Sequence, residues 1–275
     1  MNFKFKILPI SIYVIFFISG LLASGCNMSD EIDIDVPDQV ADIIVEGYLT
    51  PGNPIEIAIT KNNFMDNELI LQSIWNSKVF VTDKKDTLVL LNIFYSDRKR
   101  NILVNYRTDS LTGVFRGNVL YLSVVTTGND TITGITQVVS PIRIENATIE
   151  NDYLYLTQSI TGDEFTGYLR IDMSAYRADS VFFVSSRNLD LSKSKSLKVK
   201  LPVSTEIQES DSLLVRTFHI TKEYYDYSVS LNDASNAYFD PFLTPEEIKS
   251  NIFNGTGIFT YYTKDEKMIH FSKTE

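Results

Sequence analysis

The sequence predicts a mainly β protein: an N-terminal immunoglobulin-like β-sandwich, then a second β-rich domain with one or two short helices near the C-terminus. Three observations carry this expectation. Apolar residues alternate with polar ones in short runs, clusters of Gly, Pro, Asn and Asp separate those runs, and helical spacing is confined to the end of the chain. The composition agrees, with 15 Tyr, 17 Phe and 44% apolar residues, enough for a sizeable core of half-buried pleated surfaces.

In chain order, the run Ile43 to Leu49 is β-rich, and Pro51-Gly52-Asn53-Pro54 supplies the following turn. Ile55, Ile57 and Ile59 then alternate with Glu56, Ala58 and Thr60, a period-two pattern with one buried face. Val79 to Thr82 and Thr87 to Leu91 flank Asp83-Lys84-Lys85-Asp86 as a hairpin. Val119 to Val125 and Ile132 to Val139 bracket Thr127-Gly128-Asn129-Asp130 as another. Roughly seven short strands in about a hundred residues suggest the sandwich. The expected organisation is a signal segment over residues 1–25, an acidic tether over 26–40, the sandwich over 41–140 and the second domain over 141–275, with a boundary near Pro141.

In the second half, Leu169, Ile171 and Met173 alternate with Arg170 and Asp172, and Leu197, Val199 and Leu201 with Lys198 and Lys200. Leu214, Phe218 and Ile220 share a face with the stem of Arg216, and Asp190 to Lys195 reads as an exposed loop. Thr221 can cap a helix in which Tyr224, Tyr227 or Ser228, and Leu231 recur at helical spacing. Thr244-Pro245-Glu246-Glu247 has the form of a second helix start, with Asn254-Gly255 as its stop. Ile258 to Tyr262 returns to strand, and no repeat of fixed period is present.

The first residues are a separate object. Lys4 and Lys6 precede an apolar run from Ile7 to Leu22 that ends in Ala23-Ser24-Gly25, the pattern of a secretory signal too short to span a bilayer. Cys26 is the only cysteine, and Leu22-Ala23-Ser24-Gly25-Cys26 resembles a bacterial lipobox, in which the thiol is acylated and becomes the new N-terminus. A lone cysteine permits no internal disulfide, so packing alone must hold the fold. The following stretch is acidic and reads as a solvated tether; Ser29, Asp30 and Glu31 look like the surface-export tag of Bacteroidetes lipoproteins. The expected location is the outer membrane, lipid-anchored and exposed at the cell surface, with the periplasmic face as the alternative.

The chain carries a net charge of −10; removing the signal takes away two lysines and leaves 23 basic against 35 acidic residues, a net of −12. That balance argues against nucleic acid, which requires a basic footprint. Chemistry-bearing patterns are sparse. His219 and His270 lie in apolar strand patterns without ligands at metal spacing; the alternation of His219 with Thr217 points it toward solvent. No Gly-x-Ser-x-Gly, HExxH or Cys-x-x-Cys occurs. Asp163-Glu164, Glu246-Glu247 and Asp265-Glu266 fall in expected turns or helix starts, where acids are common. Asp33 and Asp35 lack the Gly and distal Glu of a calcium loop. No catalytic residue, metal or cofactor is expected.

Ile44-Val45-Glu46-Gly47-Tyr48-Leu49, the aromatic segment Tyr224-Tyr225-Asp226-Tyr227, Pro245 and the close Ser250-Asn251-Ile252-Phe253-Asn254-Gly255-Thr256-Gly257-Ile258-Phe259 occur in an order that resembles the DUF4249 family of Bacteroidetes lipoproteins. The likeness covers nearly the whole mature chain, although Asn254 and Thr256 dilute the glycines of the closing motif. It implies an outer-membrane lipoprotein, often beside a TonB-dependent receptor, with a β-sandwich front domain and no established biochemical activity. Gly255 and Gly257 need only a structural role, at a tight helix-to-strand corner.

The leading expectation is therefore a non-enzymatic accessory that captures or presents a small-molecule, glycan or peptide ligand to a TonB-dependent transporter. Tyr224, Tyr225, Tyr227, Tyr238, Phe239 and Phe242 are the candidate ligand-binding aromatics, against core packing of the same rings. The alternatives are an adhesin or structural surface protein and a carboxylate-dependent hydrolase. Five tripeptides of the form Asp-Ser/Thr-aliphatic place Thr87, Ser110, Thr131, Ser180 and Ser212 at turns entering strands, and resemble O-glycosylation acceptors of exported Bacteroidetes proteins.

Overall fold

The computed structural model describes residues 42–271 apart from 66–67, 98–101, 116, 163–164, 195, 241 and 245–246. The signal segment, Cys26, the tether and Ser29, Asp30 and Glu31 lie outside the described residues. The protein is mainly β, with seventeen strands against two α-helices among the described residues.

The first half supplies β1 (Ile43–Leu49), β2 (Pro54–Met65), β3 (Glu68–Ser73), β4 (Lys78–Thr82), β5 (Thr87–Asp97), β6 (Ile102–Leu111), β7 (Val119–Val125) and β8 (Thr131–Gln137). Both expected hairpins form: Thr82 pairs with Thr87 and Val125 with Thr131. Left-handed backbone at Lys84 and Asn129 turns them. Ile55, Ile57 and Ile59 are fully buried, as their alternation requires.

Hydrogen bonds link these strands in one path, β5 pairing with β4 on one side and β6 on the other. They join β15 (Ile252–Phe253) and β16 (Thr256–Tyr261) in one continuous ten-stranded sheet, ordered β15-β8-β7-β4-β5-β6-β2-β1-β16 with β3 on β2. The sheet curls around a single core to which Val79, Val81, Leu120 and Leu122 contribute from one part and Val45, Ile57, Tyr106 and Phe259 from the other. One side chain links the two ends: Asn251 Nδ2 donates to Phe259 O at 2.7 Å and Ile135 O at 2.9 Å, while Asn251 Oδ1 accepts from Phe259 N.

This pairing explains why the expected second helix is absent from the described residues after Thr244. Among the described residues 247–251 the backbone is not helical, and Ile252–Phe253 is strand. Ser230 Oγ accepts from Lys249 N at 2.9 Å and Ser250 Oγ accepts from Ile252 N at 3.1 Å. The bond from Lys249 N to Ser230 and the Asn251 side-chain bonds to Ile135 and Phe259 thus hold extended a segment that a local capping pattern favoured as helix. The glycines accordingly serve a strand-to-strand corner: Gly257 has φ +114, and both Gly255 and Gly257 press against the backbone of β1.

The second half is a two-sheet sandwich. β9 (Ile142–Glu150), β10 (Tyr153–Ile160) and β13 (Lys198–Pro202) form one sheet. The other contains β11 (Tyr168–Arg177), β12 (Ser180–Asp190), β14 (Ser212–His219) and β17 (Thr263–His270). Leu154 and Leu156 face Leu169, Ile171, Leu213 and Val215 in a second core. The short helix α1 (Thr205–Gln208), absent from the sequence expectations, adds Ile207 to it. The face of β14 assigned from sequence was the less buried one: Leu213, Val215, Thr217 and His219 are fully buried, whereas Leu214 is 9% exposed. Asp265 and Glu266 lie within β17, not in a turn.

The helix expected after Thr221 is α2 (Lys222–Phe239). Thr221 Oγ1 accepts from Tyr224 N at 3.2 Å, Glu223 stands in the first turn, and Lys222 pairs with Asp226 one turn on. Its inward stripe is Tyr227, Ser230 and Ala237. The helix packs on β16 of the large sheet and on β11 and β12 of the sandwich, bridging the two β bodies.

Candidate functional site

A groove of about 590 Å³ opens where α2 crosses β11 and β12, with Tyr48 of β1 among its lining residues. That volume falls within the roughly 300–1,000 Å³ usual for small-molecule sites. Its walls hold Arg170, Arg187 and Asn188 from the sheet and Tyr224, Tyr227 and Asn232 from the helix. Short hydroxyls, Ser186, Ser228 and Ser235, fill the intervals.

Strand alternation places Arg170 and Asp172 on the same outer face of β11, since Leu169, Ile171 and Met173 take the core. Arg170 grips Asp172 with both forks, Nε to Oδ1 at 2.8 Å and Nη2 to Oδ2 at 3.2 Å. It also donates to the Tyr224 hydroxyl at 3.4 Å and lies over the Phe218 ring, 5.8 Å from its centroid. Burial works to lower the Arg170 pKa, but the hydrogen bonds and charges of Asp172 and Tyr224 together outweigh it and hold the group above its ordinary value. Asp172 Oδ1 further accepts from Ser186 Oγ at 2.7 Å, tying β12 to the same pair.

The helix side is aromatic. Tyr224 meets Tyr48 edge-on at 5.7 Å between centroids, and Tyr262 at 6.4 Å. Tyr48 donates to Glu46 at 3.4 Å. Burial pushes the Tyr227 phenol up to about 12, with the Glu46 charge adding to the effect. Burial likewise raises Tyr48, helped by Tyr227 and Glu46. Both phenols therefore stay protonated at neutral pH and can donate.

Two residues of β12 stand apart from this network. Arg187, opposite Ile171 in the β11–β12 register, is exposed and extends from the face of β12 opposite to Arg170, Ser186 and Asn188. Asn188 Oδ1 is inaccessible to solvent and has no hydrogen-bond partner among the described residues.

Of the aromatics singled out in the sequence, Tyr224 and Tyr227 line this groove. Tyr225 turns away and packs on Tyr168 at 5.1 Å. Tyr238, Phe239 and Phe242 lie beyond it at the end of α2, exposed by 84%, 80% and 95%. Sequence reading missed Tyr48, Arg170, Arg187 and Asn188 as site residues. Tyr48 was visible only within a family-like string, and Arg170 only as the polar partner in an alternating strand.

His219 is not at the surface but fully buried. Its Nε2 accepts from Thr166 N at 3.2 Å, which leaves Nδ1–H to donate to Ser140 O at 2.8 Å. Burial lowers its pKa, so the ring is a neutral structural link from β14 to the connecting segments at Ser140 and Thr166. Among the described residues, no three His, Cys, Asp or Glu side chains gather as a metal site. Thr87, Thr131, Ser180 and Ser212 each begin a strand, Thr87, Thr131 and Ser180 being exposed; Ser110 instead stands near the end of β6.

A family model described as a domain of unknown function (DUF4249) matches residues 29–268. The chain belongs to the DUF4249 family. The match takes in every residue that lines the groove, so the groove is part of the DUF4249 body. No curated protein matches the sequence. Among the described residues, no helix of this DUF4249 chain is long and apolar enough to cross a membrane.

Proposed function

We propose that this DUF4249 chain is an outer-membrane lipoprotein, anchored by a lipid on Cys26 and exposed at the cell surface. It is a non-enzymatic accessory that binds a ligand and presents it to a TonB-dependent transporter. The observation that carries the reading is the groove between α2 and the β11–β12 face, built on regular elements that hold its side chains in place. Neither Asp nor Glu is among its lining residues, which favours binding over carboxylate-dependent hydrolysis. The lipobox-like Leu22-Ala23-Ser24-Gly25-Cys26 supports the anchor, and Ser29, Asp30 and Glu31 support surface display.

The test is metabolic labelling with radioactive palmitate, followed by protease treatment of intact cells. The wild-type chain is expected to carry label and to be digested from outside. Cys26→Ala is expected to carry none and to leave the membrane fraction. A labelled chain fully protected in intact cells would move it to the periplasmic face, and an unlabelled wild-type chain would remove the anchor from the reading.

A further inference from the structure

We infer that the aromatic end of α2, Tyr238 and Phe239 with the following Phe242 and Leu243, dips into the lipid bilayer that holds the anchor. The sandwich and its groove then point away from the membrane. This rests on the reading of Cys26 as the site of a lipid anchor and adds an orientation to it.

Exposure is the first argument. Tyr238, Phe239 and Phe242 are the most exposed aromatic side chains among the described residues. Ala237, which is buried, holds the last turn of α2 on the body, while the rings beside it stand in solvent. Their arrangement is ordered: Tyr238 and Phe239 meet edge-on at 5.2 Å between centroids. Phe242 N donates to Asp240 Oδ1 at 3.0 Å and Leu243 N to Asp240 O at 3.1 Å, a turn that fixes both side chains just past the helix. An exposed apolar cluster of this kind marks a contact surface. Six acids and no Lys or Arg separate Lys222 from Lys249 in sequence. The contact is therefore apolar and interfacial, as aromatic rings make at a membrane surface, and not a pairing with anionic headgroups.

Position is the second argument, and it selects the bilayer. α2 runs antiparallel to β1, because Tyr224 near its start packs on Tyr48 near the end of β1. Farther along, Ser230 accepts from Lys249 N, and the next residue, Ser250, donates to Gly257 O, with Gly257 opposite Val45. From Ser230 to Tyr238 the helix rises roughly 12 Å more, to the level at which β1 begins. The chain from Cys26 thus joins the fold, at Asp42, at the end where the aromatics stand. Asp42 is sixteen residues beyond Cys26, a reach of at most about 55 Å. A lipid on so long a tether holds the body near the membrane without orienting it, and the aromatic end supplies the orientation. β2 overshoots the same end: Lys61 pairs with Ile43, and beyond it Asn62 and Asn63 pair with Leu71 and Ile70, two exposed aliphatics of β3. The sandwich lies at the other end, where Tyr262 N donates to Leu49 O and the chain runs on from β16 into β17.

Fluorescence quenching tests this in the lipidated full-length chain, reconstituted in phosphatidylcholine vesicles with brominated acyl chains. Lipidation occupies the Cys26 thiol, so Phe242→Cys takes a single environment-sensitive fluorophore. Val184→Cys, on β12 of the sandwich, is the control; both positions are exposed, so both variants should fold as the wild type does. The label at position 242 is expected to be quenched at least about twofold more than the label at 184. Adding Tyr238→Ser and Phe239→Ser is expected to remove the difference. Equal quenching at the two positions, or more at 184, in a chain that floats with the vesicles would overturn the inference and leave the anchor standing. A label at 242 that stays in water on these vesicles but is shielded in the native outer membrane would overturn the lipid assignment in favour of a protein partner. A chain that does not float with the vesicles would remove the anchor, and this inference with it.

Discussion

Gly257 has φ +114, and a Cβ built there would stand 2.1 Å from Val45 O across the parallel β1–β16 pair. Both the backbone conformation and the contact exclude a side chain. Gly257→Ala is therefore expected to cost about 3 kcal/mol or more. Gly52→Ala, with φ +75 but nothing within 4 Å, should cost only about 1–2 kcal/mol. Urea midpoints of the two variants, compared at equal slope, check the difference. His219 gives a pH signature at the same scale. Its folded pKa lies below the ordinary value of 6.5 because burial penalises the charged ring. The unfolded chain thus binds the proton first, and stability is full above about pH 6.5 and falls as pH drops below it toward the folded pKa. Denaturation between pH 7.5 and 5 is expected to show this fall, and His219→Gln should flatten it; an unchanged slope would contradict the neutral, buried ring.

At the scale of elements, α2 positions one wall of the groove, and its start is set by Thr221. Thr221→Ala removes the bond from Tyr224 N and is expected to cost about 1 kcal/mol, measurable as a lowered denaturation midpoint. This start was legible in the sequence because a cap and its periodic stripe are local. The hairpins at Asp83-Lys84-Lys85-Asp86 and Thr127-Gly128-Asn129-Asp130 were legible for the same reason. Thr244-Pro245-Glu246-Glu247 looked equally good and was misleading, because the segment's donors are taken by residues distant in sequence, Ser230 among them. The groove was largely illegible: Tyr48, Arg170 and Tyr224 come from three elements, and only the crossing of α2 over both β bodies brings them together. The face of β14 was misassigned because both of its faces are covered, so alternation there carries little information.

Over the whole molecule, the end of the chain closes both cores. Ile252, Phe259 and Tyr261 belong to the first, and Ile269 packs against the second. The chain is therefore expected to unfold in one cooperative transition, with fluorescence and circular dichroism midpoints coinciding. Two separated transitions would mean that the β bodies are independent. The same coupling bears on function, since α2 and the groove depend on both bodies being in place. Affinity purification of the lipidated protein from its own outer membrane, with its companions identified by mass spectrometry, tests the central claim most directly. Recovery of a TonB-dependent receptor with the wild-type chain, and its loss with Cys26→Ala, is the expected result; recovery of the lipoprotein alone, while intact cells still expose it to protease, would contradict the accessory role.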